Sequence, residues 1–365
     1  MTQPGRLARA QSLLRAQNLD ALLVTHPPNV RYLTGLHASA GIAIVAADVC
    51  VLVVDFRYAA VAEAIARDRG IRVEVPDGPL DAAAAGVLER LGAGAAGVEG
   101  EHLSIGRFKR LRASVADAAR AGRPVELVPT DKLIERLRAI KDEREIAVLR
   151  EAGRRISAVA REARRWIGPG MSEAAAAAAV DGAMRAAGFE RPAFETIVAS
   201  GPNSALPHAR PTARTLTEGE GVVLDFGGIY DGYCVDLTRT LHLGAMSAGF
   251  RRIFDAVREA HAAAIAAVAP GRAAADIDGA ARRVLEAHGL GAAFGHGTGH
   301  GLGIEVHEEP RISKLTPADE LVVAGMVFTI EPGAYLPGIG GVRIEDDVLV
   351  VDEGCELLTD VPVEL

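Results

Sequence analysis

Short apolar runs alternate with amphipathic stretches through the first third of the chain. ALLVT (21–25) and IRVEV (71–75) have the length and β-branched content of strands. GIAIVAADVCVLVVDFRY (41–58) reads as two buried strands joined near Ala47 and Asp48. Residues 5–18, with Leu7, Leu13 and Leu14 as a partial stripe, read as a helix, as do 59–69, 78–92 and 105–120. AAGVEG and VELVP complete the alternation, which predicts a small α/β domain over 1–130.

The pattern then changes. Ile146, Leu149, Ile156 and Val159 recur at helical spacing within 130–167, which predicts a long helix started by Thr130 or Asp131. Residues 131–140 form the junction, and 141–365 a second domain. GPGMSE (168–173) breaks the helix and starts another. Two segments then echo each other: VVLDFGGIYDGYCVDLTRTLHL (222–243) and VFTIEPGAYLPGIGGVRIEDDVLV (327–350). Each is an apolar strand, a glycine-rich turn and a second strand, preceded by helical sequence, as an α-β duplication would give.

Each hairpin carries an acid on both arms. Side chains alternate faces along a strand, so turn length decides which acids share a face. A two-residue turn at Asp231-Gly232 places Asp225 and Asp236 together. An odd-length loop through Pro337–Gly341 does the same for Glu331 and Glu345. Acids in hairpins are commonly solvated, but Asp225 follows GVVL and Glu331 follows MVFTI, inside strands that should be buried. Buried acids in one place repel unless something neutralises them. Two divalent cations with a neutral imidazole would do so, and hard oxygen ligands favour manganese, cobalt or magnesium, with zinc also compatible given a histidine.

The imidazole is sought in GHGTGHGLGIEVHE (295–308). Glycine at every odd position from 295 to 303 is wrong for a helix. In an extended chain His296, Thr298, His300 and Leu302 face one way. The glycines face the other, leaving room for a backbone or, as expected here, a substrate peptide. His307 lies an odd step further on. A helical H-E-x-x-H zinc motif is absent.

Composition narrows the classes. The net charge of -8 argues against a nucleic-acid partner. No apolar run is long enough to span a bilayer. MTQPGRLARAQSLLRAQ lacks a secretory core, and Cys50, Cys234 and Cys355 form no C-x-x-C pair, so a cytoplasmic setting is expected.

LDFGGIYDGYCVDLTRT, HGTGHGLGIEVHE, TIEPGAY and GVRIEDD resemble the signatures of the pita-bread metallopeptidases, and closest the Xaa-Pro dipeptidases (prolidases) and Xaa-Pro aminopeptidases (aminopeptidase P). The resemblance spans about 140–365. It implies an α+β chain with a C-terminal pita-bread domain and an N-terminal creatinase-like α/β domain. It implies two divalent ions per subunit, manganese first, with cobalt or zinc as alternatives. Asp225 would hold one ion, Asp236 and Glu345 would bridge, and His300 and Glu331 would complete the other. Glu331 would also be the general base toward an activated water. His208 in SALPHARP and His307 would serve the oxyanion or the leaving proline nitrogen. His296 would shape the proline pocket, with Tyr335 and Arg343 supporting the metal site. Arg239 is a further supporting candidate or a structural ion pair.

The reaction implied is cleavage of the bond preceding proline, in dipeptides rather than longer peptides, by a homodimer. The alternatives are an aminopeptidase P, a binding module without turnover, and a creatinase-type C–N hydrolase. A dipeptidase needs a cation for the substrate carboxylate, and Arg210, Arg214 and Arg311 are the candidates. Exclusion of longer chains would fall to the first domain or a partner's loop, with GLHASAG (35–41) as such a loop.

Overall fold

The computed structural model describes residues 5–67, 69–119 and 124–363. The chain divides into two compact units, one ending at Arg138 and the other beginning at Ala139.

The first unit is built on one six-stranded sheet. In spatial order its strands are Ile71–Glu74, Cys50–Val53, Ile42–Ala46, Ala21–Val24, Ala95–Glu99 and Glu126–Thr130. The two contacts of Ile42–Ala46 are antiparallel and the other three pairings parallel. Ala21–Val24, Ile42–Ala46 and Cys50–Val53 are buried along their whole length, which is why they read as unbroken apolar runs. One helix, Pro27–Thr34, is missed by the pattern because Pro27-Pro28 reads as a turn. Proline in a first helical turn has no needed N–H to lose, and Gly35, at φ 82, closes the other end.

In the second unit, helices Glu143–Trp166 and Glu173–Ala186 precede the hairpin Gly221–Tyr230/Tyr233–His242. Helices Ala248–Ala267 and Ala274–Ala287 precede the second hairpin, whose arms are Val327–Ile330 with Gly333–Leu336 and Gly340–Arg343 with Asp346–Val350. Each helix pair buries its apolar stripe on its own hairpin. Ile156, Val180 and Leu224 belong to one core, and Phe254, Ile277 and Phe328 to the other.

The single helix expected over 130–167 is broken. Leu133–Ala139 stops, and the long helix begins at Glu143. The cap is Asp142, not Thr130 or Asp131. Its carboxylate accepts from Glu145 N and the Glu145 carboxylate accepts from Asp142 N, both at 2.9 Å. Between the helices Ile140 pairs with Met326, and Lys141 N donates to Gly325 O. Thr130 instead ends the last strand of the first unit. Among the described residues no helix is long and apolar enough to cross a membrane.

The long helix meets the C-terminal segment through Gly153, where an added Cβ would lie 2.1 Å from Leu358 O. Helix propensity favours alanine there by about 1 kcal/mol. The clash is with backbone, so overpacking should outweigh it, and Gly153→Ala is expected to destabilise by about 1–3 kcal/mol in urea unfolding. A more stable variant would show that this approach is slack.

Candidate metal centre

The first hairpin turns on Asp231 and Gly232, both with positive φ (45 and 71), as a tight two-residue turn requires. This register pairs Asp225 with Thr238 and Asp236 with Gly227, so the two carboxylates are diagonal neighbours on one face. In the second hairpin Leu336 pairs with Gly340 across a short tip, and Ile330 pairs with Asp346. One step beyond that pair puts Glu331 opposite Glu345. The hairpins meet where Glu345 N donates to Thr238 O at 3.1 Å and Asp236 N donates to Asp347 Oδ2 at 3.0 Å.

Asp236, His300 and Glu345 each offer a ligand atom within 4.8 Å of the other two. His300 Nε2 stands 3.6 Å from Glu331 Oε1 and 3.9 Å from Asp236 Oδ2. Its other nitrogen, Nδ1, is 3.1 Å from Gly301 O, an acceptor, which puts the proton there and leaves the Nε2 lone pair for the acids. Asp225 Oδ2 accepts from Arg343 Nη2. Arg343 also donates to the Tyr335 hydroxyl at 2.8 Å, Pro207 O at 3.2 Å and Thr238 Oγ1 at 3.2 Å. Thr238 Oγ1 in turn donates to Glu345 Oε2 at 2.5 Å. Arg239 lies behind this face. It donates to Thr238 O, Glu345 O, Val361 O and Pro362 O, and to Asp346 Oδ1 at 2.7 Å. It therefore fixes backbone at the hairpin crossing and touches no carboxylate of Asp225, Asp236, Glu331 or Glu345.

The electrostatics follow from burial. Asp236 and Glu345 are pushed well above the ordinary carboxyl range, first by burial and then by the neighbouring acids. Glu331 rises to about 7, with burial dominant, Arg343 opposing and Asp225 adding. His300 falls to about 4 through burial and the nearby His307. Burial also disfavours the Arg343 cation, but Tyr335, Asp225, Glu331 and Glu345 outweigh it and hold its proton more firmly. Two buried oxygens here, Asp225 Oδ1 and Asp236 Oδ1, accept no hydrogen bond among the described residues. Unsatisfied carboxylate oxygens beside a neutral imidazole form a donor set that fits a divalent cation. A further acid, Asp347, is buried with one orphaned oxygen and is raised by burial. Asp347 is not among the site residues expected from the sequence, although period two in GVRIEDD puts it on the face of Glu345.

Of the three other histidines expected at the site, His296 contacts Tyr335 and His307 contacts His300. His296 Nε2 is 3.0 Å from the Tyr335 hydroxyl, and burial lowers its pKa to about 4. The His307 ring stands edge-on to His300 at 4.3 Å; burial, then Arg311, lowers its pKa. His208 is exposed, and it lies near enough to His296 and His307 to disfavour their charged forms.

Of the arginines proposed for a substrate carboxylate, Arg311 acts on His300 and His307. Arg210 pairs with Glu195 at 3.3 Å, and Arg214 is committed to Glu220 and Ser200. The glycine expectation needs correction. A Cβ at Gly299 would lie 1.8 Å from Thr329 O, at Gly301 2.1 Å from Glu309 O, and at Gly297 3.0 Å from Ile312 O. These glycines admit the protein's own neighbouring strands, and no space there is left for a substrate. Thr298 likewise turns into the protein, bonded to Asp278 Oδ1.

A model of metallopeptidase family M24 matches residues 147–352, and one of the creatinase/prolidase N-terminal domain matches residues 6–140. An Xaa-Pro dipeptidase of Pyrococcus furiosus is 42% identical over 241 residues, 66% of this chain and 68% of that one. The structure of an Xaa-Pro dipeptidase from Bacillus anthracis superposes with a TM-score of 0.92 at 34% identity, covering 99% of this chain and 98% of the other. An X-Pro aminopeptidase from Thermotoga maritima gives 0.86 at 32% identity, covering 97% and 98%.

The raised acids make metal-free stability fall with pH. Between the ordinary 4.5 and about 7, Glu331 is protonated in the folded protein and ionised in the unfolded chain. Asp236, Glu345 and Asp347 act the same way, and the lowered His296 and His300 act against them. The acids outnumber the imidazoles, so the folded state binds more protons and stability drops as pH rises through that window. Chelator-treated protein should melt lower at about pH 7.5 than at about pH 5, and manganese at the higher pH should restore the loss. Equal melting temperatures at both pH values, unmoved by manganese, would contradict this electrostatic description.

Proposed function

The chain belongs to metallopeptidase family M24, and from that footing we propose that it cleaves the peptide bond preceding proline, as an Xaa-Pro dipeptidase. The observation that carries the reading is the convergence of Asp236, His300 and Glu345, with Glu331 beside the imidazole. Asp225 would hold one ion, His300 and Glu331 the other, and Asp236 and Glu345 both. Manganese suits this oxygen-rich set, with cobalt or zinc as alternatives. When bound, the ions would supply Lewis acidity that lowers the pKa of a water and polarises the scissile carbonyl.

The chain's own residues do the rest. Glu331 takes the proton of the attacking water on its carboxylate. His307, whose ring meets that of His300, and His208 are the groups whose imidazole N–H would stabilise the developing oxyanion or protonate the leaving proline nitrogen. Proline leaves as a secondary amine and needs that proton. His296, fixed by Tyr335, forms a wall for the proline ring. Tyr335 and Arg343 hold Asp225 in register, and Arg239 keeps the backbone of Glu345 in place. Arg311 is the cation for the substrate's free carboxylate. We assign the protein to the cytoplasm, in keeping with its unpaired cysteines, and, on the family resemblance alone, to a homodimer. The second reading, an aminopeptidase acting on longer peptides, draws on the equally full-length likeness to the Thermotoga maritima enzyme.

Stripping metal and restoring manganese, cobalt or zinc, with Ala-Pro, Ala-Pro-Ala and a longer Xaa-Pro peptide as substrates, separates the two. The dipeptide alone should be cleaved, and only with metal. Turnover of the longer peptides would establish the aminopeptidase instead. Glu331→Gln should lower kcat by about 100-fold or more, and full activity would refute the assigned base. Arg311→Ala should raise KM for Ala-Pro by about 10-fold or more, as the loss of a charge-assisted hydrogen bond does. An unchanged KM would remove Arg311 from the site.

A further inference from the structure

Glu173 is the first residue of the helix Glu173–Ala186, fully buried, and belongs to none of the roles above. Its carboxylate is saturated with donors. Oε1 accepts from Ser200 N and Oγ, both at 2.8 Å, and from Asn203 Nδ2 at 3.0 Å. Oε2 accepts from Thr212 N at 3.0 Å, Thr212 Oγ1 at 2.6 Å and Asn203 Nδ2 at 3.0 Å. Burial works against its charge, and these donors outweigh burial and leave its pKa below the ordinary value.

The partners are not scattered. Ser200 ends the strand Ile197–Ser200, Thr212 lies further along the connection to the strand at Gly221, past the 3-10 turn Gly201–Ala205, and His208 lies between them. One carboxylate thus closes both ends of the segment that carries the histidine. The middle of the loop is pinned from the second hairpin, where Gly341 N donates to Ser204 Oγ at 2.9 Å and Arg343 Nη1 to Pro207 O at 3.2 Å. A Cβ at Gly341 would lie 2.0 Å from Ser204 O, so the loop is held tightly against that hairpin. The donors require an acceptor-only group. A glutamine would turn its NH2 toward at least one of them and leave it unpaired.

We infer that Glu173 is a positioning residue for the reaction: by clamping Ser200 to Thr212 it sets where the His208 imidazole stands beside the metal centre. This rests on the reading of His208 given above. The test is a double-mutant cycle on the manganese-loaded full chain, with Ala-Pro as substrate and the variants Glu173→Gln, His208→Asn and both. Glu173→Gln should lower kcat by about 10- to 100-fold, the scale of a misplaced catalytic group. KM and manganese affinity should stay within about twofold. In the His208→Asn background the same change should cost nothing further, since the two act as one unit. Hydrogen exchange should quicken in residues 200–212 and stay unchanged in the two acid hairpins.

Losses that multiply in the double variant would overturn the inference and leave Glu173 a structural residue. A wild-type kcat for Glu173→Gln beside a crippled His208→Asn would sink the inference alone. A wild-type kcat for His208→Asn would sink the reading of His208 and the inference with it. Should Glu173→Gln not fold, Asn203→Ala removes one donor from the same carboxylate and carries the same cycle, with an expected loss of about 3- to 10-fold.

Discussion

The structure of the second unit turns on one crossing, where Glu345 N meets Thr238 O between two hairpins that are distant in sequence. That contact brings the acids of one hairpin against those of the other. Like charges in a buried place repel strongly, and burial alone already disfavours each of them. The protein meets part of this cost itself. Arg343 reaches Asp225, and Thr238 donates to Glu345. The balance is left to protons or to bound cations. A fold selected only for stability would place apolar side chains at the crossing.

The surroundings are arranged to keep that crossing rigid. Arg239 ties Thr238 and Glu345 by their carbonyls to the C-terminal segment at Val361 and Pro362. Glycines at 297, 299 and 301 let the His300 strand lie directly against its neighbours, so the imidazole is delivered from a packed sheet. The flexibility of free glycine is lost there, because the neighbouring carbonyls leave no alternative path.

Much of this could be read from local pattern. Period two and turn length place Asp225 with Asp236 and Glu331 with Glu345, because a hairpin's register is a local property. Ala21–Val24, Ile42–Ala46 and Cys50–Val53 are legible as continuous apolar runs because they are buried along their whole length. What escaped was in part local and in part set by contacts between remote segments. The break at Asp142 needed the capping box to be weighed against an unbroken apolar stripe. Gly297, Gly299 and Gly301 suggest room for a substrate because nothing in the sequence reveals Ile312, Thr329 and Glu309 on their far side. Glu173 looks like an ordinary first-turn acid until Ser200 and Thr212 fold back onto it. Asp347 was within reach, two residues beyond Glu345 on the same face.

Calorimetric titration of manganese into the stripped protein near pH 7, repeated in buffers of differing ionisation enthalpy, tests the central claim most directly. Carboxyls held above their ordinary range must give up protons when a cation takes their place, so net proton release is predicted. Tight binding with no proton release would show that these acids are already ionised and that the described constraint does not exist.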